Sequence, residues 1–231
     1  MDHERLAMLA LHLIPGVGSF TVRQLISYCG TATDAFRQSR KKLLRIPGVG
    51  PGIVEALRKE AALQEASEIF FRAHKKKISL HFHPDDTFPE RLRHIPDSPS
   101  LIYYQGNASL NNPKTIAIVG TRKATSYGKD ITRELVEGLA RHNPTIISGL
   151  AYGIDAVAHT EALKNGLETV AVMAGGIEYI YPAIHRKLAH DIRAHGALIT
   201  ENGIDTTPDA SRFPARNRII AGMSDLILVI E

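Results

Sequence analysis

Residues 147–155 read Ile-Ser-Gly-Leu-Ala-Tyr-Gly-Ile-Asp, and this stretch decides the fold of the C-terminal half of the chain. Apolar residues lead into Ser148 and Gly149, a second glycine follows at Gly153, and the pattern is helical from there to Leu163. The stretch predicts a buried strand, a tight turn and a helix whose N-terminus faces open space. Exposed backbone N–H groups at such a turn favour an anion, so we predict a phosphate site here.

Strand and helix patterns alternate around this stretch. Apolar runs rich in branched residues predict strands at 115–119, 145–147, 169–173, 197–200 and 226–230. Helical patterns fill the gaps, at 128–141, 152–165, 183–195 and 214–223. Near-continuous apolar strands separated by single helices are typical of a parallel sheet covered on both faces. We therefore predict an α/β fold, with a Rossmann-like doubly wound parallel sheet over residues 113–231. Ligands in such sheets bind at the carboxyl ends of the strands.

The first 60 residues contain an internal repeat, in which Ile-Pro-Gly-Val-Gly at 14–18 recurs at 46–50. Helical patterns flank the copies, at 5–13, 20–28 and 53–73. Proline fixes φ and glycines allow a tight turn, so residues 1–75 are predicted to form a small all-α domain with two helix-hairpin-helix-like units. Such hairpins bind DNA in other proteins, which makes four glycines candidate DNA contacts: Gly16, Gly18, Gly48 and Gly50. The alternative is a helical bundle that kept the hairpin geometry for packing or protein contact, because the basic residues around the hairpins are few.

Residues 76–112 form an irregular connector with short strands at 78–82 and 101–104, since proline recurs in it. His81 and His83 alternate on one strand before two aspartates, but no third ligand follows at metal-binding spacing. We predict a turn with solvated acids there, and no metal.

Composition indicates an ordinary globular protein, with 44% hydrophobic and 23% charged residues among 231. No apolar run approaches the roughly 20 residues that span a bilayer, and the N-terminus lacks the order of a secretory signal. The single cysteine, Cys29, favours a reducing compartment and is expected to be a small buried hydrophobe. We expect a cytoplasmic protein without membrane association. The net charge of +4 permits a polyanionic partner without proving one.

Three segments at the predicted strand ends carry the polar residues. After the first strand, residues 119–128 offer one glycine, several hydroxyls and the pair Arg122 and Lys123, which suit phosphate oxygens. They contain neither a dinucleotide fingerprint nor a P-loop. The second segment is the turn at Ser148 and Gly149.

In the second segment, Asp155 and His159 lie four residues apart and hence on one helix face. An acid–base pair or two metal ligands are conceivable there. We favour structural roles, in which Asp155 braces the turn and His159 packs against the sheet, because no nucleophile or third ligand is evident.

The third segment is Phe213 to Ile220. Pro214 suits a first helical turn, which places Arg216 and Arg218 near a helix N-terminus, where cations oppose the dipole. The positions of these two arginines are explained if an anionic ligand, or a carboxylate such as that of Glu201, lies next to their guanidinium groups. Phe213 either stacks on a base or staples the helix.

These motifs resemble the DNA-processing protein A (DprA, also Smf) family in order and spacing, from about Ile14 to the last residue. The residues that carry the resemblance are Val119-Gly120-Thr121-Arg122, Tyr127-Gly128, Ser148 to Asp155, Ala158-His159, Ala174-Gly175-Gly176-Ile177, Tyr181-Pro182, Thr200-Glu201 and Phe213 to Gly222.

The resemblance implies a protein that binds and protects incoming single-stranded DNA during natural transformation and loads the RecA recombinase. It implies no catalysis, no catalytic residue, no cofactor, and a homodimer formed through the Rossmann-like domain. It places DNA contacts at Gly120, Thr121, Arg122, Lys123, Arg186, Lys187, Arg212, Phe213, Arg216 and Arg218. With the turn at Ser148 and Gly149, and with Asn217 between the last two arginines, these residues form the predicted groove for a phosphate chain.

Two departures from the family pattern are visible. Ala183 follows Tyr181-Pro182 where family members often carry a basic residue, so Arg186 and Lys187 are the nearby substitutes. The family's later segments, further strands and often a winged-helix domain, do not occur in this sequence, which leaves the dimer and RecA surfaces open. The alternative function is a Rossmann-like nucleotide phosphoribohydrolase of the lysine-decarboxylase-like type, with Glu201 as its acid. Its Pro-Gly-Gly-x-Gly-Thr-x-x-Glu motif is absent, and residues 174–178 match it only in part.

Overall fold

The computed structural model describes residues 2–231 and divides into two compact units. The first unit runs to Pro84 and includes Pro96–Leu101, and the second comprises Asp85–Ile95 and Ile102–Glu231. The boundaries predicted at residues 75 and 112 do not coincide with this division, because the connector contributes segments to both units. No helix within residues 2–231 combines the length and the apolar character needed to span a bilayer.

The first unit is mainly helical. Its helices are α1 (His3–Leu13), α2 (Ser19–Cys29), α3 (Ala32–Arg37), α4 (Arg40–Leu43), α5 (Pro51–Leu57) and α6 (Ala61–Lys75), followed by strand β1 (Ser79–Phe82). The Glu4 carboxylate accepts the N–H groups of Ala32 and Thr33, which ties α1 to the first turn of α3. Half-buried His12 on α1 forms a hydrogen bond of 2.9 Å with the Ser100 hydroxyl, and loss of solvent around the ring lowers its pKa to about 4.

The two copies of the sequence repeat adopt the same turn. The Val17 and Val49 N–H groups donate to Ile14 and Ile46, the isoleucines that begin the two repeats. Gly16 and Gly48 both have φ of +82°, a left-handed conformation that glycine adopts without strain. Gly18 and Gly50 occupy the N-cap positions of α2 and α5. The repeat therefore forms two turns of the same kind, one between α1 and α2 and one between α4 and α5.

The second unit is an α/β domain. Its elements are α7 (Glu90–Arg93), β2 (Leu101–Gly106), β3 (Thr115–Gly120), α8 (Ser126–Leu139), β4 (Thr145–Ser148), α9 (Ile154–Lys164), β5 (Thr169–Val172), α10 (Arg186–His195), β6 (Gly196–Thr200), α11 (Arg212–Gly222) and β7 (Leu226–Ile230). These strands are neighbours in the order β2-β6-β5-β4-β3-β7. Strands β3 to β7 are parallel to their neighbours, and β2 is antiparallel to β6. The sheet is thus mixed, with a parallel centre of the predicted type.

Alternate residues of each strand face opposite layers. Ala117 and Ile147 lie in a cluster with Ile219 and Ile220 of α11, whereas Ile118 and Ile146 lie in a second cluster with helices α8 and α9. The connection from β6 to β7 crosses the sheet in the direction opposite to the steps from β3 to β6, and α11 covers the face opposite to α8 and α9. Both faces are covered, so the strands read as continuous apolar runs.

The predicted strands agree with the observed ones to within one or two residues. The single helix predicted at 53–73 is wrong, because the chain forms α5 and α6 with a break at Arg58-Lys59-Glu60. Lys59 and Glu60 are exposed, and this charged run has no apolar residue to continue the buried stripe of either helix. Cys29 is half-buried and not a core residue. Helices α3, α4 and α7 were not anticipated from the sequence.

One carboxylate connects three segments of the second unit at the amino end of the sheet. Asp225, just before β7, accepts the Nε–H and Nη2–H groups of Arg91 on α7 and the backbone N–H and hydroxyl of Thr115 at the start of β3. The hydrogen bonds from Arg91 are the main reason why the pKa of Asp225 is lowered.

We predict that Asp225→Asn lowers the free energy of unfolding by about 1 kcal/mol at neutral pH, since both partners remain partly exposed. A carboxyl group with a lowered pKa contributes stability above its unfolded pKa and loses it as pH falls through the folded value. The deficit should therefore shrink below about pH 4. Urea titrations across pH measure it, with Asp130→Asn, at an exposed ion pair with Arg133, as the matched control. Equal behaviour of the two variants would contradict the assignment.

Candidate nucleic-acid interface

A cavity of about 610 Å³ opens at the carboxyl ends of the parallel strands in the second unit. Strand end, turn and helix residues from four segments line it: Val119, Gly120, Arg122, Ala151, Asp155, Tyr181, Pro208, Asp209, Ala210, Phe213, Pro214, Arg216 and Asn217. This is the edge at which open α/β sheets bind their ligands. The three predicted segments therefore converge on one site.

Two turns are packed together at the floor of this cavity. Gly153 has φ of +76°, and a Cβ atom there would lie 2.1 Å from the Thr121 carbonyl oxygen. The Ile154 N–H donates to that same oxygen, at 3.2 Å. Gly120 is equally confined, since a Cβ atom would lie 2.0 Å from the Ile230 carbonyl oxygen. The glycines thus let the loop after β3 lie against the turn after β4, and Arg122 at its tip is exposed.

Arg122 forms one end of a row of three neighbouring side chains. Its guanidinium lies over the Phe213 ring, 4.8 Å from the ring centroid, and the Tyr181 ring lies 5.6 Å from the Phe213 ring. Arg122 and Tyr181 are exposed, and Phe213 is half-buried within α11. A cation and exposed aromatic faces in one open cavity are the groups that contact phosphates and stacked bases.

The Ser148 and Gly149 turn lies beneath the cavity. Ser148 is fully buried, and its hydroxyl donates to the Ile118 carbonyl at 2.6 Å. A Cβ atom on Gly149 would lie 2.3 Å from the Arg216 guanidinium. Both residues therefore support the site from below, and the cavity wall that a ligand meets is built by the next residues of the turn.

Arg216 is buried, with 5% of its surface exposed. One nitrogen of its guanidinium donates to the carbonyl groups of Gly149 and Val172, the ends of β4 and β5. Asp155, which is also buried, accepts the Ala151 N–H at 3.2 Å. Burial raises the pKa of Asp155 and lowers that of Arg216, while the attraction between the two charges opposes both shifts. Arg216 thus joins α11 to the two strand ends, and Asp155 joins the start of α9 to the turn after β4.

His159 lies deeper and is neutral. Its Nδ1 is 2.7 Å from the Thr169 hydroxyl, which itself donates to the Ile146 carbonyl, so Nδ1 carries the proton. Burial lowers the pKa of His159 to about 3. The imidazole therefore supports the packing of α9 on the sheet.

The remaining arginines of α11 are engaged by side chains of the loop after β6. Arg218 forms an ion pair with Glu201, which is the carboxylate that the sequence suggested as its partner. Arg212 donates to the Asn202 side chain at 3.2 Å. Asn217 is exposed and lines the cavity.

Lys123, Arg186 and Lys187 are exposed but lie outside the cavity lining. Arg186 and Lys187 begin α10 directly after His185, whose Nδ1 is 2.9 Å from the Leu150 carbonyl oxygen. This contact places the two cations on the side of the opening formed by the turn after β4.

Sequence reasoning missed Tyr181 and Asp209 as cavity residues. Tyr181 belongs to a motif that the sequence shows, but only the folded chain places its ring against Phe213. Asp209 is exposed, and its pKa is lowered chiefly by hydrogen bonds from the Ser211 hydroxyl and N–H. Within residues 2–231, three or more His, Cys, Asp or Glu side chains nowhere group as a metal site would require.

Comparison with known proteins gives a consistent family. Residues 79–231 match the family model of DNA recombination-mediator protein A. Protein Smf of Synechocystis sp. is 34% identical over all of this chain and 59% of its own length. A putative DNA processing protein DprA of Mycobacterium tuberculosis is 42% identical over 61% of this chain and 37% of its own length. The chain thus spans about three fifths or less of these relatives.

Two solved structures are similar to this one. The X-ray structure of DNA processing protein A from Streptococcus pneumoniae matches with a TM-score of 0.76 and 29% identity, covering 100% of this chain and 79% of that chain. A structure of DNA processing protein A from Helicobacter pylori, described as showing its single-stranded DNA binding mode, matches with a TM-score of 0.60 and 30% identity, covering 66% of this chain and 68% of that chain. The match supports the α/β fold.

The buried Arg216–Asp155 pair gives a stability prediction. Arg216→Met should lower the free energy of unfolding by about 3 kcal/mol at neutral pH, because it leaves a buried carboxylate without its counter-charge. The folded-state pKa of Asp155 then rises further above its unfolded value, so the deficit should shrink as pH falls from 7 to 5.

Denaturant titrations of Arg216→Met, Asp155→Asn and the double variant test the prediction. The double variant should recover much of the loss, whereas exposed Arg141→Met should be close to the original chain. Additive effects of the two single substitutions would contradict the pairing.

Proposed function

The chain belongs to the DNA recombination-mediator protein A family, and from this premise we propose that it binds single-stranded DNA along the carboxyl edge of its sheet. The observation that carries the proposal is the row formed by Arg122, Phe213 and Tyr181 at the mouth of the cavity. Aromatic faces accept any base by stacking, and a neighbouring guanidinium attracts phosphate oxygens, so binding is tolerant of sequence.

The groove residues divide by exposure into contacts and supports. The exposed or half-exposed side chains contact DNA: Arg122, Lys123, Arg186, Lys187, Arg212, Phe213 and Asn217. Gly120 and Thr121 shape the loop that presents Arg122. Ser148, Gly149 and Arg216 hold the cavity together through buried hydrogen bonds, and half-buried Arg218 is engaged by its ion pair with Glu201.

The role is one of binding without catalysis. Glu201, the acid that a nucleotide phosphoribohydrolase would need, is 22% exposed at its side chain and engaged by Arg218, and it does not line the cavity. Hydrolysis of nucleoside monophosphates that is lost in Glu201→Gln would overturn this part of the proposal.

The family description, a recombination mediator, supports a wider role. In this role the protein protects incoming DNA in the cytoplasm during natural transformation, acts as a homodimer and loads the RecA recombinase. The hairpin glycines Gly16, Gly18, Gly48 and Gly50 supply backbone N–H groups for further DNA contact. Loading is tested by the rate at which RecA filaments form on single-stranded DNA that is covered by a single-strand-binding protein. This chain should raise that rate, and an unchanged rate would contradict the loading role.

We predict that Arg122→Ala lowers affinity for single-stranded DNA about tenfold, since a charge-assisted phosphate contact is lost. The slope of log affinity against log salt should decrease in magnitude by about 0.7. Fluorescence anisotropy with a labelled oligonucleotide across salt concentrations measures both quantities.

Arg141→Ala is the matched control, since Arg141 is an exposed arginine that precedes β4 and so lies at the opposite edge of the sheet. It should leave affinity close to that of the original chain. If Arg122→Ala and Arg141→Ala give the same affinity and slope, Arg122 is not a phosphate contact.

We also predict that Phe213→Ala weakens binding about tenfold with an unchanged salt slope, because it removes a stacking face and no charge. Phe213→Tyr keeps the ring and should retain most of the affinity. The same anisotropy titration distinguishes the two variants, and a reduced salt slope in Phe213→Ala would contradict a stacking role.

A further inference from the structure

The helical unit contains a cavity of its own that the groove does not involve. It has a volume of about 210 Å³ and lies between the end of α2 and the segment that leads into the second hairpin. Six side chains line it: Tyr28, Cys29, Gln38, Lys42, Arg45 and Ile46. An exposed aromatic ring, two cations and an amide therefore face one concave space.

The basic residues around the hairpins separate into two groups in the structure. Arg23 donates to the carbonyl groups of Ser98 and Pro96, and Arg40 pairs with Glu55, so both have structural partners. Lys42 and Arg45 instead line the cavity and are exposed. The run Arg40-Lys41-Lys42 and Arg45 directly precedes the second repeat, and Lys42 and Arg45 are the two of these cations that line the cavity.

Neither the ring nor the two cations are explained by packing within the unit. Tyr28 is 57% exposed although it ends an amphipathic helix whose buried side chains include Val22 and Leu25. Helix α4 has only four residues, so its macrodipole does not account for cations at its end. Asp34 is an acidic residue near this cavity. Both Asp34 and Lys42 act electrostatically on the Cys29 thiol. The two cations outnumber this acid.

We propose that this cavity is a second contact for single-stranded nucleic acid, in which Tyr28 stacks on a base while Lys42 and Arg45 contact the adjoining phosphates. The occupant follows from charge and shape complementarity, because a phosphate chain with exposed bases presents an anion and a flat ring at each nucleotide. This inference rests on the proposed binding of single-stranded DNA. It assigns the DNA contact of the helical unit to three side chains. Contact through the hairpin backbone does not require these three residues.

The first experiment measures the affinity for an oligonucleotide of about 30 nucleotides. This length exceeds the roughly 4–16 nucleotides that a single OB fold occupies on a single strand. Lys42→Ala combined with Arg45→Ala should weaken binding about tenfold or more and reduce the salt slope by about 1.4. Tyr28→Ala should weaken binding about tenfold with an unchanged slope, and Tyr28→Phe should restore it. Lys59→Ala, at an exposed lysine of the same unit, is the matched control.

The second experiment locates the occupant directly and does not depend on any substitution. Cys29 is the single cysteine of the chain and lines the cavity, so its alkylation rate reports access to this space. Saturating single-stranded DNA should slow alkylation of Cys29 at least several-fold. Duplex DNA of equal length should protect much less, because its bases are not free to stack on Tyr28.

The outcomes separate this inference from the proposed function. If Arg122→Ala weakens binding while the cavity variants match Lys59→Ala and Cys29 stays unprotected, the groove binds DNA and the second contact is wrong. If the original chain fails to bind single-stranded DNA at all, the proposed function fails with it. Equal protection by duplex and single strands would contradict the stacking role of Tyr28.

Discussion

The burial of Arg216 against the ends of two strands is the constraint on which the rest of the interface depends. Arg216 lies on α11, the helix that connects β6 to β7. Its guanidinium reaches the carbonyl groups at the ends of β4 and β5. Asp155 supplies the counter-charge from α9 on the other side. A buried guanidinium without such partners is costly, so the hydrogen bonds of Arg216 to the two strand-end carbonyl groups fix where α11 begins. Phe213, one turn earlier, is positioned by the same constraint.

Close backbone approach is the second constraint. Gly120, Gly149 and Gly153 each lie where a Cβ atom would overlap a neighbouring atom, and together they let two turns and a buried arginine share one strand edge. This packing leaves Arg122 at the surface, over the ring of Phe213. The exposed cation is thus a consequence of the close backbone approach that these glycines allow. The proposed anion contact in this site is therefore a side chain held by packing, and the turn beneath it provides the support.

Much of the fold was predictable from the sequence because its signals are local. Branched apolar runs gave the strands to within one or two residues, and the Pro-Gly-Val-Gly repeat gave two turns with the same φ values. The break between α5 and α6 was missed, because a charged run ends a buried stripe without a proline or glycine to mark it. The candidate site was predicted as a set of segments, whereas burial of Ser148 and Arg216 depends on contacts between them.

The sequence by itself determined the α/β architecture, the repeated hairpins and the strand ends that carry the polar residues, since periodicity and turn chemistry act over a few neighbours. Only the tertiary structure decided which cations face solvent. Arg122 and Arg216 are both predicted from the sequence as DNA contacts, yet one lies over an aromatic ring at the surface and the other is enclosed by two strand ends. The reason is that burial of a charge depends on partners distant in the chain, such as Asp155 and the Val172 carbonyl, and no local pattern specifies them.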